Sequence, residues 1–323
     1  MNRRALLIRL GLLGAAVGGG WWFKETVLWP RPRPAFPAGV PAWTPFAAPA
    51  VVPTMPGTVG GRETVVLIDS GAQYSVLDRG LHARLAADGA VGMSYPLPLL
   101  AWGVGGRAQL GRATTVDVSV PGLSLPGLRT AILDLGPIAE TERGLGVGLI
   151  LGQDALATLV LDVDTTSARV RLSAPGALAD PPGAQPLDSR RSGGALKLPI
   201  TVEGRPLDAL VDTGASALVS LSRRSAEKVG LLDGRPLEGG SSLVLGGQVQ
   251  AEVARVRTVA IGRRTFADEP VPIFGDVTAP GFPDALVGMA AFAGSIVRMD
   301  LARGALLATD APDITVGPRR RRG

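Results

Sequence analysis

An internal duplication constrains the fold of this chain more than any other feature of its sequence. Residues 54–76 align with residues 197–219 without a gap, at a constant offset of 143 positions. Because so many identities in one short segment are not expected by chance, the sequence predicts two copies of one structural unit. The identical pairs are Pro56/Pro199, Thr58/Thr201, Val59/Val202, Gly61/Gly204, Arg62/Arg205, Leu67/Leu210, Asp69/Asp212, Gly71/Gly214, Ala72/Ala215 and Val76/Val219.

The duplication extends to the end of each copy. Residues 149–152 (LILG) resemble residues 285–288 (ALVG), and an aspartate follows twelve positions after the glycine in both, at Asp164 and Asp300. Between the copies lies a segment rich in proline and glycine, the composition of an interdomain connector. The predicted units are an N-terminal lobe at 49–174, an interlobe linker at 175–194 and a C-terminal lobe at 195–311.

The composition favours a mostly β protein. The chain has 323 residues, 46% of them hydrophobic, with 44 glycines and 27 prolines. So many glycines and prolines are typical of short strands joined by turns rather than of long helices. We therefore expect two β lobes with short helices.

The net charge of +5 does not indicate a nucleic-acid partner. The basic excess lies in residues 1–40 and in Arg319–Arg322, and the rest of the chain is slightly acidic. Aromatic residues do not alternate with these bases, as a base-stacking surface would require. The basic tail at 312–323 is expected to be a solvated end.

Cysteine and histidine usage excludes several chemistries. The chain has no cysteine and one histidine, His82, so disulfides, thiolate catalysis and a zinc site of ordinary type are excluded. His82 lies in a predicted helix over 77–85, where we expect a solvated side chain, and no nucleophile-elbow pattern accompanies it. We expect neither a metal nor an organic cofactor.

The N-terminus has the pattern of a targeting segment. Residues 1–23 combine a basic start with an apolar stretch, and the pair Arg3-Arg4 resembles a twin-arginine signal. A cleaved signal and a retained membrane anchor both remain open, and either places the body outside the cytoplasm, in the periplasm or on the membrane. The proline-rich residues 24–48 are expected to form no ladder or helix and to act as a stiff linker.

Each copy contains an apolar run that ends abruptly at an acid. The runs 65–68 and 209–211 lead directly to Asp69 and Asp212. An acid after several buried-type residues is costly unless it is hydrogen-bonded, paired or functional. We predict that each strand delivers a carboxylate into a turn.

The residues after each acid fit a rigid, tightly packed loop. Ser70 and Thr213 can hydrogen-bond within the loop, and Gly71 and Gly214 allow close approach and can donate an N–H to a carboxylate. If a pseudo-twofold axis relates the copies, the two carboxyls meet and can share one proton and one water. The predicted loop residues are Asp69, Ser70, Gly71 and Ala72 in the first copy, and Asp212, Thr213, Gly214, Ala215 and Ser216 in the second.

These loops, each followed later by an apolar pair and a glycine, resemble the retropepsin and pepsin superfamily of aspartic peptidases over residues 49–310. The resemblance implies two β-barrel lobes related by a pseudo-twofold axis, and an aspartic endopeptidase in which Asp69 and Asp212 activate a water. It also implies a polypeptide substrate, an active monomer, and structural glycines at Gly152 and Gly288 that each lead into a short helix.

The same resemblance implies glycine-tipped hairpins that close over the cleft. One candidate hairpin lies about 35 residues after each aspartate. An ordinary hairpin turn is the alternative for both, because glycine pairs are common in such turns. The candidate flap residues are Trp102, Gly103, Gly105 and Gly106 in the first copy and Gly246 and Gly247 in the second.

The two copies differ at one position of the acid loop. Gln73 stands where the second copy has Ser216, which leaves open a first site that folds without cleaving. The alternative functions are therefore a catalytically inactive, membrane-tethered module that binds peptides in the same cleft, or a purely structural envelope role.

Several other patterns are interpreted as structural. The glycine-rich residues 144–148 are expected to form a loop and the start of a strand, not a nucleotide-binding loop. Asp162, Asp164 and Asp300 are expected in a hairpin turn or as surface carboxylates.

Overall fold

The computed structural model describes residues 29–48, 51–102, 108–140, 144–244, 247–276 and 283–309. Strands dominate this part of the chain, and helices are short, in agreement with the prediction from composition. The strands form two closed six-stranded barrels, one from each copy of the repeat, and one sheet that both lobes share.

The N-terminal barrel has the strand order β2-β3-β8-β4-β7-β6, and pairing of β2 with β6 closes it. The strand β5 extends the sheet beyond β6. The helices are α1 (Arg79–Ala87), a 3-10 turn (Gly136–Ala139) and α2 (Gln153–Leu156). The strands of this sheet are β2 (Thr54–Val59), β3 (Arg62–Ile68), β4 (Val76–Asp78), β5 (Tyr95–Trp102), β6 (Ala108–Val120), β7 (Leu123–Leu133) and β8 (Val147–Leu151), and β1 (Thr44–Pro45) lies outside it.

The C-terminal barrel repeats this order as β13-β14-β19-β15-β18-β17, closed by pairing of β13 with β17. Its helices are α3 (Arg223–Lys228) and a 3-10 turn (Met289–Phe292). The matching order shows that the sequence repeat is a repeat of topology. The strands are β12 (Arg190–Ser192), β13 (Ala195–Val202), β14 (Arg205–Val211), β15 (Val219–Ser222), β16 (Leu237–Val244), β17 (Gly247–Ile261), β18 (Arg264–Phe274) and β19 (Ala285–Val287).

The apolar runs before the two acids become the inner ends of β3 and β14. Both strands begin exposed and have their last three residues buried. Each pairs in parallel with a short apolar strand, β3 with β8 and β14 with β19. These partner strands are buried along their whole length, as central parallel strands are. The barrel interior therefore fixes where each strand stops and its aspartate begins.

A six-stranded antiparallel sheet joins the lobes. Its order is β1-β10-β9-β20-β21-β11, so the N-terminal lobe's β9 pairs directly with the C-terminal lobe's β20. The two lobes therefore share one continuous hydrogen-bond ladder. Its strands are β9 (Val160–Asp164), β10 (Arg169–Ser173), β11 (Ala184–Pro186), β20 (Ile296–Asp300) and β21 (Ala305–Thr309), together with β1.

Three aspartates of this sheet correct the sequence prediction. Asp162, Asp164 and Asp300 are all buried, so the expectation of surface carboxylates is wrong. Asp164 and Asp300 do lie at hairpin turns, where they accept backbone N–H groups. Asp162 lies between Arg171 and Arg298 on the neighbouring strands. Cross-strand arginines compensate its charge, which the alternation of one strand cannot reveal.

The proline-rich N-terminal segment also differs from its prediction. From residue 29 onward it packs on the body: β1 pairs with β10, Ala35 bridges to Ser124, and Trp29 is buried. The expectation that it forms no ladder is wrong, because prolines are tolerated in a two-residue strand at a sheet edge. The predicted linker 175–194 carries the short strands β11 and β12, and the predicted lobe bounds stay predictions.

The predicted signal or anchor at 1–23 lies outside the described residues, as does the basic tail from 312. Within the ranges that the structure describes, no helix combines the length and apolar character needed to cross a bilayer.

Candidate active site

Asp69 and Asp212 meet at the seam between the two barrels. Each is the first residue after its strand, and each keeps one further ladder bond to the neighbouring parallel strand. The N–H of Asp69 donates to the carbonyl of Leu151 at 3.0 Å, and that of Asp212 donates to the carbonyl of Val287 at 2.9 Å. The last backbone group before each loop is therefore anchored in its barrel.

The two carboxyl groups lie within hydrogen-bonding reach of each other across this seam. Backbone N–H groups of the residues that follow each aspartate donate to its carboxyl. Asp69 Oδ1 accepts the N–H groups of Gly71 at 2.8 Å and Ala72 at 3.0 Å, and Asp212 Oδ1 accepts that of Gly214 at 2.8 Å. Both aspartates are half-buried.

The hydroxyl groups of the two loops interlock the lobes. The N–H of Ser70 donates to Thr213 Oγ1 at 2.9 Å, and the N–H of Thr213 donates to Ser70 Oγ at 3.1 Å. Each hydroxyl also donates to the opposite strand, Ser70 Oγ to the carbonyl of Val211 and Thr213 Oγ1 to that of Ile68, both at 2.7 Å. We expected these hydroxyls to bond within their own loops, but they bond across the seam.

Burial raises the pKa of both dyad carboxyls above the ordinary value of 3.8. At Asp212 the negative charge of Asp69 and the hydrogen bond between them raise the pKa further, to well above that value. At Asp69 the hydrogen bond from Asp212 and the backbone N–H groups oppose the increase. Two adjacent carboxyls in this setting favour a state with a single shared proton.

Gly152 and Gly288 pack against the acid loops from behind. A Cβ carbon on Gly152 would lie 2.6 Å from the backbone carbonyl carbon of Tyr74, and one on Gly288 would lie 2.3 Å from the carbonyl oxygen of Ala217. A short helical segment begins directly after each of these glycines. No side chain fits at either position, so only glycine allows this contact.

The difference between Gln73 and Ser216 does not alter the donors to the dyad. Both side chains are exposed. The donors to Asp69 Oδ1 and Asp212 Oδ1 are backbone groups, which do not depend on the side chain at either position. The main chain of the first loop therefore supplies the donors to Asp69 whatever side chain stands at position 73.

A polar network behind the first acid loop was not singled out from the sequence. Gln153 Nε2 donates to the carbonyl of Ser70 at 2.8 Å, and Asp154 Oδ1 accepts both the N–H and the hydroxyl of Ser75. The available signal was a polar pair directly after Gly152, where the second copy has the apolar residues Met289 and Ala290. Such a pair inside an apolar segment calls for buried partners.

Two of the predicted flap residues, Trp102 and Gly247, lie at the ends of described strands. Trp102 is the last residue of β5 and pairs with Ala108 of β6, and Gly247 begins β17 and pairs with Val244 of β16. The hairpins themselves are present, and their role as flaps stays a prediction. Gly103, Gly105, Gly106 and Gly246 lie outside the described residues.

Two duplicated barrels that each contribute one Asp-Ser/Thr-Gly loop to a common seam define the bilobal aspartic-protease class. Comparison with known families agrees: the aspartyl protease family matches the chain twice, over residues 55–155 and 198–291. These matches cover more than half of the chain and begin 143 positions apart, the offset of the repeat. The chain belongs to the aspartyl protease family.

Among solved structures, a retropepsin-like aspartic protease from Rickettsia conorii is similar to part of this chain. The two share 23% sequence identity, and the match covers 39% of this chain and 89% of the other, with a TM-score of 0.31. No curated protein sequence gives a significant match.

Proposed function

We propose that this protein is an aspartic endopeptidase in which Asp69 and Asp212 share one proton and activate a water against a peptide carbonyl. The observation that supports this most directly is that the two carboxyls meet at the seam, each lying against the glycine of the opposite loop and held by backbone donors of its own loop. One carboxyl from each lobe, half-buried at the seam, can supply a general base and a general acid together.

The reaction needs no group beyond the dyad and water. The ionised carboxyl removes a proton from the water as its oxygen forms a bond to the carbonyl carbon, and the protonated carboxyl donates its proton to the carbonyl oxygen. A gem-diol results. The carboxyl that took the water's proton then gives a proton to the amide nitrogen as the carbon–nitrogen bond breaks, and the other carboxylate takes a proton from one hydroxyl of the gem-diol. A carboxylic acid and an amine result, and the dyad again holds one proton.

An active monomer is part of the proposal, because one chain supplies both aspartates. The shared six-stranded sheet and the Ser70–Thr213 interlock hold the lobes together within that chain. Specific activity should therefore not change when the enzyme is diluted, whereas an assembly of two chains would lose activity on dilution.

The test compares the purified full chain with its Asp69→Asn and Asp212→Asn variants on a library of extended peptides, with and without pepstatin. We expect cleavage products by mass spectrometry from the wild type and none from either variant. Asp268→Asn is the matched control, since its side chain is 83% exposed. Full activity in either dyad variant would exclude this mechanism.

The same experiment discriminates the peptide-binding alternative. A binding module retains peptide affinity in all variants, and its wild type produces no cleavage. The enzyme instead cleaves as wild type, while its dyad variants bind peptide without turnover.

We also propose that the body acts outside the cytoplasm, with residues 1–23 as an export signal or a membrane anchor. Their sequence pattern supports this. Cell fractionation, with N-terminal sequencing of the mature protein, tests both parts: recovery from the cytoplasm with residue 1 intact would contradict export.

A further inference from the structure

Trp29 joins the N-terminal segment to the back of the catalytic lobe. Its side chain is 7% exposed and belongs to the apolar cluster that includes Leu67 and Val76. Its ring lies 4.4 Å from the ring of Tyr74, centroid to centroid, at a tilt of 49°. Trp29 precedes the duplicated unit in sequence, so this contact is made in the first lobe and is not part of the repeat.

The indole N–H of Trp29 donates to Asp154 Oδ2 at 2.6 Å. The other carboxyl oxygen of Asp154 accepts three donors: the N–H of Ser75 at 2.9 Å, its hydroxyl at 2.7 Å and the N–H of Ala155 at 2.9 Å. A carboxyl enclosed in this way is held on both oxygens, which fixes its orientation.

Asp154 in turn is connected to the loop that carries Asp69. Ser75 Oγ accepts the N–H of Gly152 at 3.1 Å, and the N–H of Gln153 donates to the carbonyl of Ala72 at 2.8 Å. The N–H of Ala72 is itself a donor to Asp69 Oδ1. Hydrogen bonds, together with the backbone of Gly152, Gln153 and Ala72, thus connect the indole to the first catalytic carboxyl.

The second lobe is built differently at the same places. Ala290 and Leu218 occupy the positions that correspond to Asp154 and Ser75. Neither side chain can accept or donate a hydrogen bond. The second loop therefore relies on its backbone, with the N–H of Gly288 donating to the carbonyl of Leu218 at 3.1 Å.

We propose that Trp29 and Asp154 are positioning residues for Asp69, so that the N-terminal segment completes the first half of the catalytic site. The indole N–H orients the Asp154 carboxyl, and this carboxyl holds Ser75 and the end of the acid loop. The inference rests on the proposed peptidase function. In this proposal the segment before the repeat supports the catalytic site and is not only a spacer.

The test uses Trp29→Phe and Asp154→Asn in the full chain. Trp29→Phe keeps a ring beside Tyr74 but removes the indole N–H together with part of the buried ring, so its melting temperature is measured beside its rates. We expect kcat to fall about tenfold with KM changed by less than about twofold, because displaced reacting groups slow chemistry more than they weaken peptide binding. The acidic limb of the pH profile should move to higher pH, since weaker backbone donation to Asp69 favours its protonated form.

A double variant tests the direct contact. In Asp154→Asn the new amide donor faces the indole N–H, and Trp29→Phe removes that conflict. The double variant should therefore lose less activity than the product of the two single losses, whereas independent effects would multiply.

Trp43→Phe is the matched control, since Trp43 lies in the same segment but stacks on Arg169 and Arg171 of the shared sheet. It should keep the wild-type kcat and pH profile. If Trp29→Phe lowers only the melting temperature and leaves kcat and the pH profile of the folded enzyme unchanged, the positioning role is wrong. Failure of the peptidase function itself would appear separately, as retained cleavage in Asp69→Asn or Asp212→Asn.

Discussion

The backbone of Gly71 lies directly against the carboxyl group of Asp212. A Cβ carbon on Gly71 would come within 2.5 Å of Asp212 Cγ, and one on Gly214 would come within 2.6 Å of Asp69 Cγ. Each acid loop thus forms one wall of the space that holds the opposite acid. The separation of the two carboxyls therefore depends on the absence of a side chain at two positions.

Substitution of this glycine should separate the dyad. We expect Gly71→Ala to lower kcat/KM by about 100-fold or more, because a displacement near 1 Å of a reacting group has an effect of this size. Initial rates on a peptide substrate, with the folded fraction measured by circular dichroism, test this. Gly239→Ala is the control, since a Cβ carbon there meets nothing within 4 Å. Equal activity of Gly71→Ala and wild type would show that the contact does not set the geometry.

The interlock should contribute strongly to stability. Thr213→Ala leaves the N–H of Ser70 and the carbonyl of Ile68 without their hydroxyl partner in a buried setting. We expect the free energy of unfolding to fall by about 2–6 kcal/mol, because each of the two unsatisfied buried groups costs roughly 1–3 kcal/mol. Urea unfolding measures it. Thr213→Ser keeps both bonds and should lose less than about 1 kcal/mol, and an equal loss in both variants would assign the effect to the methyl group.

Activity should have a bell-shaped dependence on pH. The dyad is active with one proton, so activity is lost at low pH when both carboxyls are protonated and at high pH when both are ionised. The raised pKa of Asp212 places the alkaline limb well above the ordinary carboxyl value of 3.8. A kcat/KM profile measured across the acidic and neutral range tests this, and a profile with a single limb would contradict the shared proton.

The dyad should also make stability depend on pH. A carboxyl whose pKa is raised by folding binds its proton more tightly in the folded state, so its contribution to stability is present below 3.8 and is lost as pH rises through the raised value. Asp212→Asn has no carboxyl to ionise at this position, so the variant does not lose this part of its stability as pH rises. Its gain in unfolding free energy over the wild type should therefore increase with pH. Melting temperatures of both proteins at several pH values measure the gain, and a gain that does not change with pH would contradict the raised pKa.

The arginine pair around Asp162 should be essential for joining the lobes. The side chain of Asp162 is fully buried, and Arg298 Nε donates to its Oδ1 at 2.7 Å from the strand of the other lobe. We expect Arg298→Met to cost about 3–5 kcal/mol, because it leaves a buried charge short of a partner. Arg190→Met, which breaks an exposed pair with Asp208, should cost less than about 1 kcal/mol. Similar losses in the two variants, measured by urea unfolding, would contradict the burial of this charge.

Those features of the site that local sequence encodes could be predicted. The acid at the end of an apolar run, the small residues after it and the glycine in front of a short helix each depend on neighbours in sequence. The duplication also predicted that the two acid loops meet, since two like units related by an axis bring equivalent loops together. Composition predicted the mostly β fold, and the resemblance to the retropepsin and pepsin superfamily implied the two barrels; both are confirmed.

The tertiary structure decided which groups are partners. Ser70 and Thr213 bond across the seam, Arg298 reaches Asp162, and Trp29 reaches Asp154, in each case over more than 100 positions of sequence. Hydroxyl, guanidinium and indole groups can serve many acceptors, and only packing selects one. The sequence by itself determined that two carboxylates would be delivered by like strands, because strand pattern and loop chemistry are local properties. The burial and the asymmetric support of those carboxylates arise only when the barrels and the N-terminal segment pack together.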